Sequence, residues 1–280
     1  MAGKLVLCGT PIGNLEDMST RALKVIEAAD VLACEDPRRT RKLLAHFGLR
    51  ARDLVVYNEG NERRRAPELL ERIQHGATVV LVSDAGMPGL SDPGYRLVRA
   101  CADAGALVEV VPGPSASVSA LVLSGLPPGR FVFEGFLPRK QGDRRRKIAE
   151  LAPETRTVVL YVSPHKLEES LVDLLEGLGD RPAALARELT KLYEEVRRGT
   201  LSALLEGIRA EPARGEMVLV VGGAVGDHRP EVPSDELARR ATELMGAGVE
   251  RREALSRVAR AAGVPRRKVF DALLEEGSSG

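Results

Sequence analysis

The residues best able to do chemistry in this 280-residue chain are carboxylates set among glycines and prolines where apolar runs stop. Thr78–Val82 is rich in β-branched residues and reads as a short buried strand. It runs straight into Ser83-Asp84-Ala85-Gly86-Met87-Pro88-Gly89, which neither extends a strand nor opens a helix comfortably and so shapes a loop. Three other apolar runs end in the same way, in Gly9-Thr10-Pro11-Ile12-Gly13-Asn14, in Glu35-Asp36 and in Pro112-Gly113-Pro114-Ser115-Ala116. In open parallel sheets such loops converge at the carboxyl ends of the strands, where ligands sit. Glycine lets backbone approach a ligand closely, and a carboxylate offers charge to an ammonium or an acceptor to a hydroxyl.

The elements that must hold these loops alternate. Strands are expected at Lys4–Cys8, Val31–Cys34, Leu54–Tyr57, Thr78–Val82, Val108–Val111, Phe131–Phe133, Thr157–Tyr161, Ala183–Arg187, Glu194–Arg197 and Met217–Val221. Amphipathic stretches such as STRALKVIEAAD lie between the early ones, and PELLERIQHG and PGYRLVRACADAG open on proline and close on glycine as helices do. The pattern predicts an α/β protein with largely parallel sheet. A Gly/Pro break at 123–130 and a polar, proline-bearing stretch at 226–236 divide the chain into expected domains 1–123, 124–228 and 233–276. The last is helical throughout, with a helix-turn-helix-like pair about Gly263-Val264-Pro265.

Composition narrows the function. Lys plus Arg (41) nearly cancels Asp plus Glu (40), so attraction to a polyanion has to come from local clusters. Aromatics make up 3% and Trp is absent, which argues against an aromatic platform for single-stranded nucleic acid. The three cysteines form no CxxC pair and the four histidines no metal spacing, so reduced structural thiols, no metal and a cytoplasmic setting are expected. No signal-peptide or membrane-spanning stretch is present in the sequence, so no membrane partner is expected. GxGxxG, GxxxxGK[ST] and GxSxG are all missing, which disfavours dinucleotide, P-loop and α/β-hydrolase readings.

GTPIGNLED, EDPRRTRKLL, SDAGMPGLSDPG, VPGPSA, FVFEGFLPRK and ARELTKLYEE occur in that order. Together they closely resemble the bacterial ribosomal RNA small-subunit methyltransferases I, cytidine 2′-O-ribose methyltransferases of the tetrapyrrole-methylase superfamily. The resemblance covers about residues 4 to 226. It departs from the family pattern at Pro37, where Thr is common, and at Val162 and Lys166, where Glu and Arg are common. It implies two α/β domains with an S-adenosylmethionine cleft between them, a small helical C-terminal extension, a homodimer, and methylation of a cytidine in the decoding region of 16S rRNA.

By that resemblance Pro11, Ser83, Asp84, Ala85, Gly86, Pro88, Ser115 and Ala116 line the cofactor cleft from the first domain, and Leu160, Tyr161, Leu189 and Met217 wall the adenine from the second. Glu188, Lys191 and Asp36, with Glu35 beside it, stand at strand ends as candidate bases for the acceptor hydroxyl. RNA phosphates would meet local positive charge at Arg38 and Arg39 and at Arg139, Lys140, Arg144, Arg145 and Arg146, within a small ribosomal subunit particle. Two rival readings stay open: a tetrapyrrole-type small-molecule methyltransferase of the same fold, and a ligand-sensing regulator whose helical tail binds DNA.

Overall fold

The computed structural model describes residues 3–224, 233–262 and 264–277. All ten expected strands are present, with only their ends displaced. β1 (Lys4–Cys8), β2 (Val31–Cys34), β3 (Leu54–Val56), β4 (Thr78–Val82) and β5 (Leu107–Val111) form a parallel sheet in the order β3-β2-β4-β1-β5. β2 is buried along its whole length and β4 all but its first residue, as apolar strands covered on both faces should be. Helices α1 (Thr20–Ala28), α2 (Pro37–His46), α3 (Glu62–Gln74) and α4 (Tyr95–Asp103) supply that cover. The three cysteines are free and buried, and burial pushes the Cys8 thiol up to about 12.

The second sheet is mixed, although parallel pairs remain the majority across the two sheets. β6 (Phe131–Phe136), β7 (Thr157–Val162), β8 (Pro182–Arg187), β9 (Glu195–Thr200) and β10 (Met217–Val221) lie in the order β6-β7-β10-β8-β9, and only β6 and β7 run parallel. β8 and β9 are joined by a short connection with no helix, which favours an antiparallel return that the alternation of elements does not reveal. α6 (Gln141–Leu151), α7 (Leu167–Leu178) and α8 (Leu201–Ala210) pack around the apolar core on one face.

The other face is covered by α5 (Ala116–Ser124), which follows the first sheet in sequence yet packs on β7, β8, β9 and β10. Ala120 and Leu121 of this helix cluster with Ile12, Val159, Ala186, Leu189, Val218 and Val220. By packing, α5 goes with the second sheet. Both lobes lie within one compact unit, Met1–Ala224.

The C-terminal unit holds α9 (Ser234–Gly246), α10 (Arg251–Ala262) and α11 (Arg266–Gly277) around a core of its own, which includes Leu237, Ala241, Leu255, Val258 and Val269. Most of the stretch expected as a linker, and Gly263 of the expected turn, lie outside the described residues. No helix among the described residues is long and apolar enough to cross a membrane, and no cluster of His, Cys, Asp and Glu among them is arranged to hold a metal ion.

Candidate active site

The loops at the carboxyl ends of β1, β4 and β5 interlock. Thr10 and Gly86 exchange backbone hydrogen bonds of 2.9 and 3.1 Å, and the Thr10 hydroxyl donates to the Ser83 carbonyl at 3.2 Å. The buried Ser83 hydroxyl is shared between the Ala85 and Gly86 carbonyls. Gly86 has φ +77°, and a Cβ there would stand 3.4 Å from Ile12 Cγ2 and 3.5 Å from the Pro114 carbonyl. Gly9 and Gly113 lie so close that a Cβ on Gly9 would approach Gly113 Cα to 2.7 Å. The Ser115 hydroxyl caps α5 by accepting from the Val118 amide.

These loops face the second sheet across a cavity of about 420 Å³, within the roughly 300–1,000 Å³ usual for small-molecule sites. Asp84, Ala85, Gly86, Ser115 and Ala116 line it from one side, with Tyr161, Leu189 and Met217 opposite. Pro11, Ser83 and Pro88 are buried behind this surface, where they fix the shape of the loops. Leu160 is a correction: it is fully buried in the core of the second lobe, because strand alternation turns Val159 and Tyr161, not Leu160, toward α5 and the cleft.

The electrostatics are acidic. Glu35, Asp84 and Asp92 all line the cavity, and Asp84 accepts from the Asp36 amide at 3.0 Å while standing 3.5 Å from Arg39 Nε. Burial, then the charge of Glu35, pushes the Asp92 carboxyl up to about 7 against the hydrogen bond from Ser83. Burial, followed by the charges of Asp84 and Glu59, raises Glu35 as well. A concavity lined by three carboxylates offers negative charge to a cation. Asp92 is not among the residues expected from the sequence, although it stands in the same Gly/Pro-rich loop; only the fold shows that this second aspartate faces inward.

The expected bases are differently engaged. Glu188 (φ +50°) and Thr190 (φ +66°) form a tight turn after β8. Glu188 Oε1 accepts from the Glu216 amide at 2.9 Å and from Lys191 Nζ at 3.0 Å, while Lys191 Nζ also reaches Glu216 Oε2 at 3.0 Å. Neither Glu188 nor Lys191 lines the cavity; Leu189 between them does. The Glu216 amide, then Lys191, hold the Glu188 carboxyl below the usual range, and burial of Lys191 is outweighed by the two carboxylates, which raise it. Asp36 is the N-cap of α2, accepting from the Arg38 amide and guanidinium, and Arg38 draws its carboxyl down to about 2. Of the four, only Glu35 both lines the cavity and has a raised carboxyl.

The basic residues divide too. Arg38 is exposed, Arg39 lines the cavity mouth, and Arg139 and Lys140 are exposed without an ion pair among the described residues. Arg146 is exposed beside Asp143, and Arg145 is half-exposed and pairs with Asp173 and Glu176. Arg144 is a correction: its side chain is 2% exposed, bonded to Asp173 and Glu169, and it donates to the Arg139 carbonyl at 3.2 Å. A run of basic residues on a helix has an inward face as well as an outward one, and Arg144 lies on the inward one. Phe136 lines the mouth at 62% exposure.

Comparison with known proteins agrees with this architecture. The family model described as Tetrapyrrole (Corrin/Porphyrin) Methylases matches residues 4–205. A Synechocystis protein named ribosomal RNA small subunit methyltransferase I is 42% identical over 279 residues, covering 99% of this chain and 100% of that protein. Among solved structures, a uroporphyrin-III-C-methyltransferase from Thermus thermophilus matches with TM-score 0.55 and 27% identity over 80% of this chain and 96% of that one. Another from the same organism, complexed with S-adenyl homocysteine, matches in fold with TM-score 0.53 and 21% identity over 80% and 98%. On its sequence and its fold, this chain belongs to the ribosomal RNA small subunit methyltransferase I family of tetrapyrrole methylases.

Proposed function

We propose that the protein is an S-adenosylmethionine-dependent ribosomal RNA methyltransferase, and that its acceptor is the 2′-hydroxyl of a cytidine in the decoding region of 16S rRNA. The observation that carries this reading is a carboxylate-lined, apolar-walled cavity whose mouth is flanked by arginine, in a chain related end to end to ribosomal RNA methyltransferases. The residues present fit the cofactor. Asp84 and Asp92 offer negative charge to its ammonium and sulfonium groups, and Gly86 leaves room that a side chain would occupy. Leu189, Met217 and Ala186 offer an apolar wall to the adenine.

S-adenosylmethionine supplies a methyl group already activated by a positively charged sulfur, so the protein's main task is alignment. The interlocked loops hold the cavity walls fixed, and Glu35 is the carboxylate best placed to take the acceptor's proton. Arg38, Arg39, Arg139 and Lys140 meet the phosphates of the RNA. The protein works on the assembled small ribosomal subunit, as a homodimer in the cytoplasm. The test is incubation with labelled S-adenosylmethionine and small subunits from a strain lacking the gene, followed by mapping of 2′-O-methyl groups. A new mark at one decoding-region cytidine supports the reading, and labelling of uroporphyrinogen with none on the RNA overturns it.

A further inference from the structure

Phe136 is an aromatic side chain that the fold goes out of its way to expose. In a regular strand Phe131, Phe133 and residue 135 share one face and Phe136 points to the other. The β6–β7 register is interrupted between Phe133 and Gly135, so that Phe136 pairs with Tyr161, where uninterrupted pairing would set it opposite Val162. One extra residue reverses the facing of everything after it. Phe136 is thereby turned from the side of Leu160 and Val162, the packed core, to the side of Tyr161 and the cleft. Phe133 and Phe136 both pack on the Tyr161 ring, with centroids 5.1 and 5.4 Å away. Gly135 takes φ +63° to make the turn, and a Cβ there would lie 2.9 Å from Ser91 Oγ on the facing loop. The bulged Glu134 is pinned by Lys147 at 2.8 Å.

The reversal does not bury Phe136, so packing is not what it serves. Exposure sorts the cavity into a deep end and a mouth: Met217 is 4% and Leu189 6% exposed, whereas Phe136 is 62% exposed. The deep apolar walls suit an adenine ring. Phe136 stands outside them, tilted by 57° against the Tyr161 ring and largely open to solvent. Cations accompany it: Arg39 lines the same mouth, and Arg139 and Lys140 follow three and four positions on, in a loop that the buried Arg144 holds through the Arg139 carbonyl. An exposed aromatic ring beside cations matches a splayed nucleotide, a flat apolar base flanked by phosphodiesters.

We propose that Phe136 is the stacking platform for the nucleobase of the acceptor nucleotide, which leaves the RNA stack so that its ribose reaches the cavity. The proposal rests on the RNA-methyltransferase reading above. A base drawn out of its stack loses neighbours on both faces, and an aromatic platform returns one of them. Phe136 thus positions the acceptor and takes no part in proton or methyl transfer.

The experiment compares wild type with Phe136→Ala, Phe136→Leu and Phe136→Tyr on small ribosomal subunits from a strain lacking the gene, with S-adenosylmethionine affinity measured separately by calorimetry. Phe136→Ala should lower kcat/KM for subunits roughly 5- to 150-fold, the range that loss of one base–aromatic stack corresponds to. Cofactor affinity and the slope of log binding on log salt should stay at wild-type values, because a neutral side chain releases no counterions. Phe136→Tyr should restore activity, and Phe136→Leu, apolar but without a flat face, should restore only part. Wild-type kcat/KM in Phe136→Ala overturns the proposal, and so does a loss that appears in cofactor affinity instead. Wild-type protein that leaves the subunits unmethylated defeats the functional reading itself, and that result is seen before any variant is compared.

Discussion

Arg144→Met should unsettle the second lobe without touching the cleft. The guanidinium is 2% exposed, with Nη2 2.6 Å and Nε 2.7 Å from Asp173 Oδ2 and Nη2 2.5 Å from Glu169. Asp173 is itself 1% exposed. Methionine roughly keeps the stem volume but leaves the Asp173 carboxylate facing Arg145 alone, at 2.8 Å. Removing one partner of a buried ion pair costs about 3–5 kcal/mol. At about 2–4 °C per kcal/mol for a domain this size, Tm should fall by roughly 6–20 °C.

The pH dependence has a definite sign. Burial pushes the Asp173 carboxyl up, but hydrogen bonds from Arg144 and Arg145 outweigh it and leave it below its ordinary value. In wild type the pair therefore contributes stability that is present above the unfolded carboxylate range and is lost as pH falls through the folded value. In Arg144→Met burial is less opposed, so the carboxyl moves up and its protonation relieves the defect. The stability gap should narrow as pH falls from 7 toward about 4. Replacing both partners, Arg144→Met with Asp173→Leu, should recover most of the loss. Scanning calorimetry across that pH range reads all three effects. A single variant melting within about 2 °C of wild type, or a double variant as unstable as the single one, would refute the reasoning.

Three further outcomes are expected. Gly86→Val forces a β-branched residue to φ +77° against Ile12 and Pro114, and should cost about 1–3 kcal/mol of stability while abolishing S-adenosylmethionine binding by calorimetry. Because the Asp92 carboxyl sits near 7, affinity for the cationic cofactor should weaken as pH drops below that value; Asp92→Asn should bind weakly and lose most of this dependence, and a parallel pH profile in the variant would absolve Asp92. Replacing Arg38, Arg39, Arg139 and Lys140 by Gln should flatten the slope of log binding on log salt by roughly 0.7–0.9 for each phosphate left without its cation, read by filter binding to ribosomal RNA, whereas equal slopes would make these four a solvated surface.

What the sequence made legible was local. β4 is announced by its β-branched run, and the turn after it by residues that cannot continue a strand, so the strand and the loop that follows it could be read from one stretch. Strand direction could not, because β8 and β9 look the same in either sense until the short turn at Glu188–Thr190 is seen. Side-chain facing was the other blind spot. Leu160 and Tyr161 are neighbours with opposite surroundings, and Arg144, Arg145 and Arg146 differ only in their angle about α6. α5 is apolar nearly all round, so no stripe marked which sheet it would cover.

That choice by α5 has a mechanical consequence. Because the helix belongs to the second lobe by packing, the chain crosses between lobes once, at Pro112–Ser115. The close approach of Gly9 and Gly113 pins this segment where it leaves the first sheet, so it is no slack tether. The lobes meet again where Ile12 joins the apolar cluster around α5. The crossing segment also leads directly into the cavity wall, since Ser115 and Ala116 line it. A molecule seated there touches both lobes beside the link that joins them. Occupancy should therefore raise the melting temperature of the two lobes together, as a single calorimetric transition.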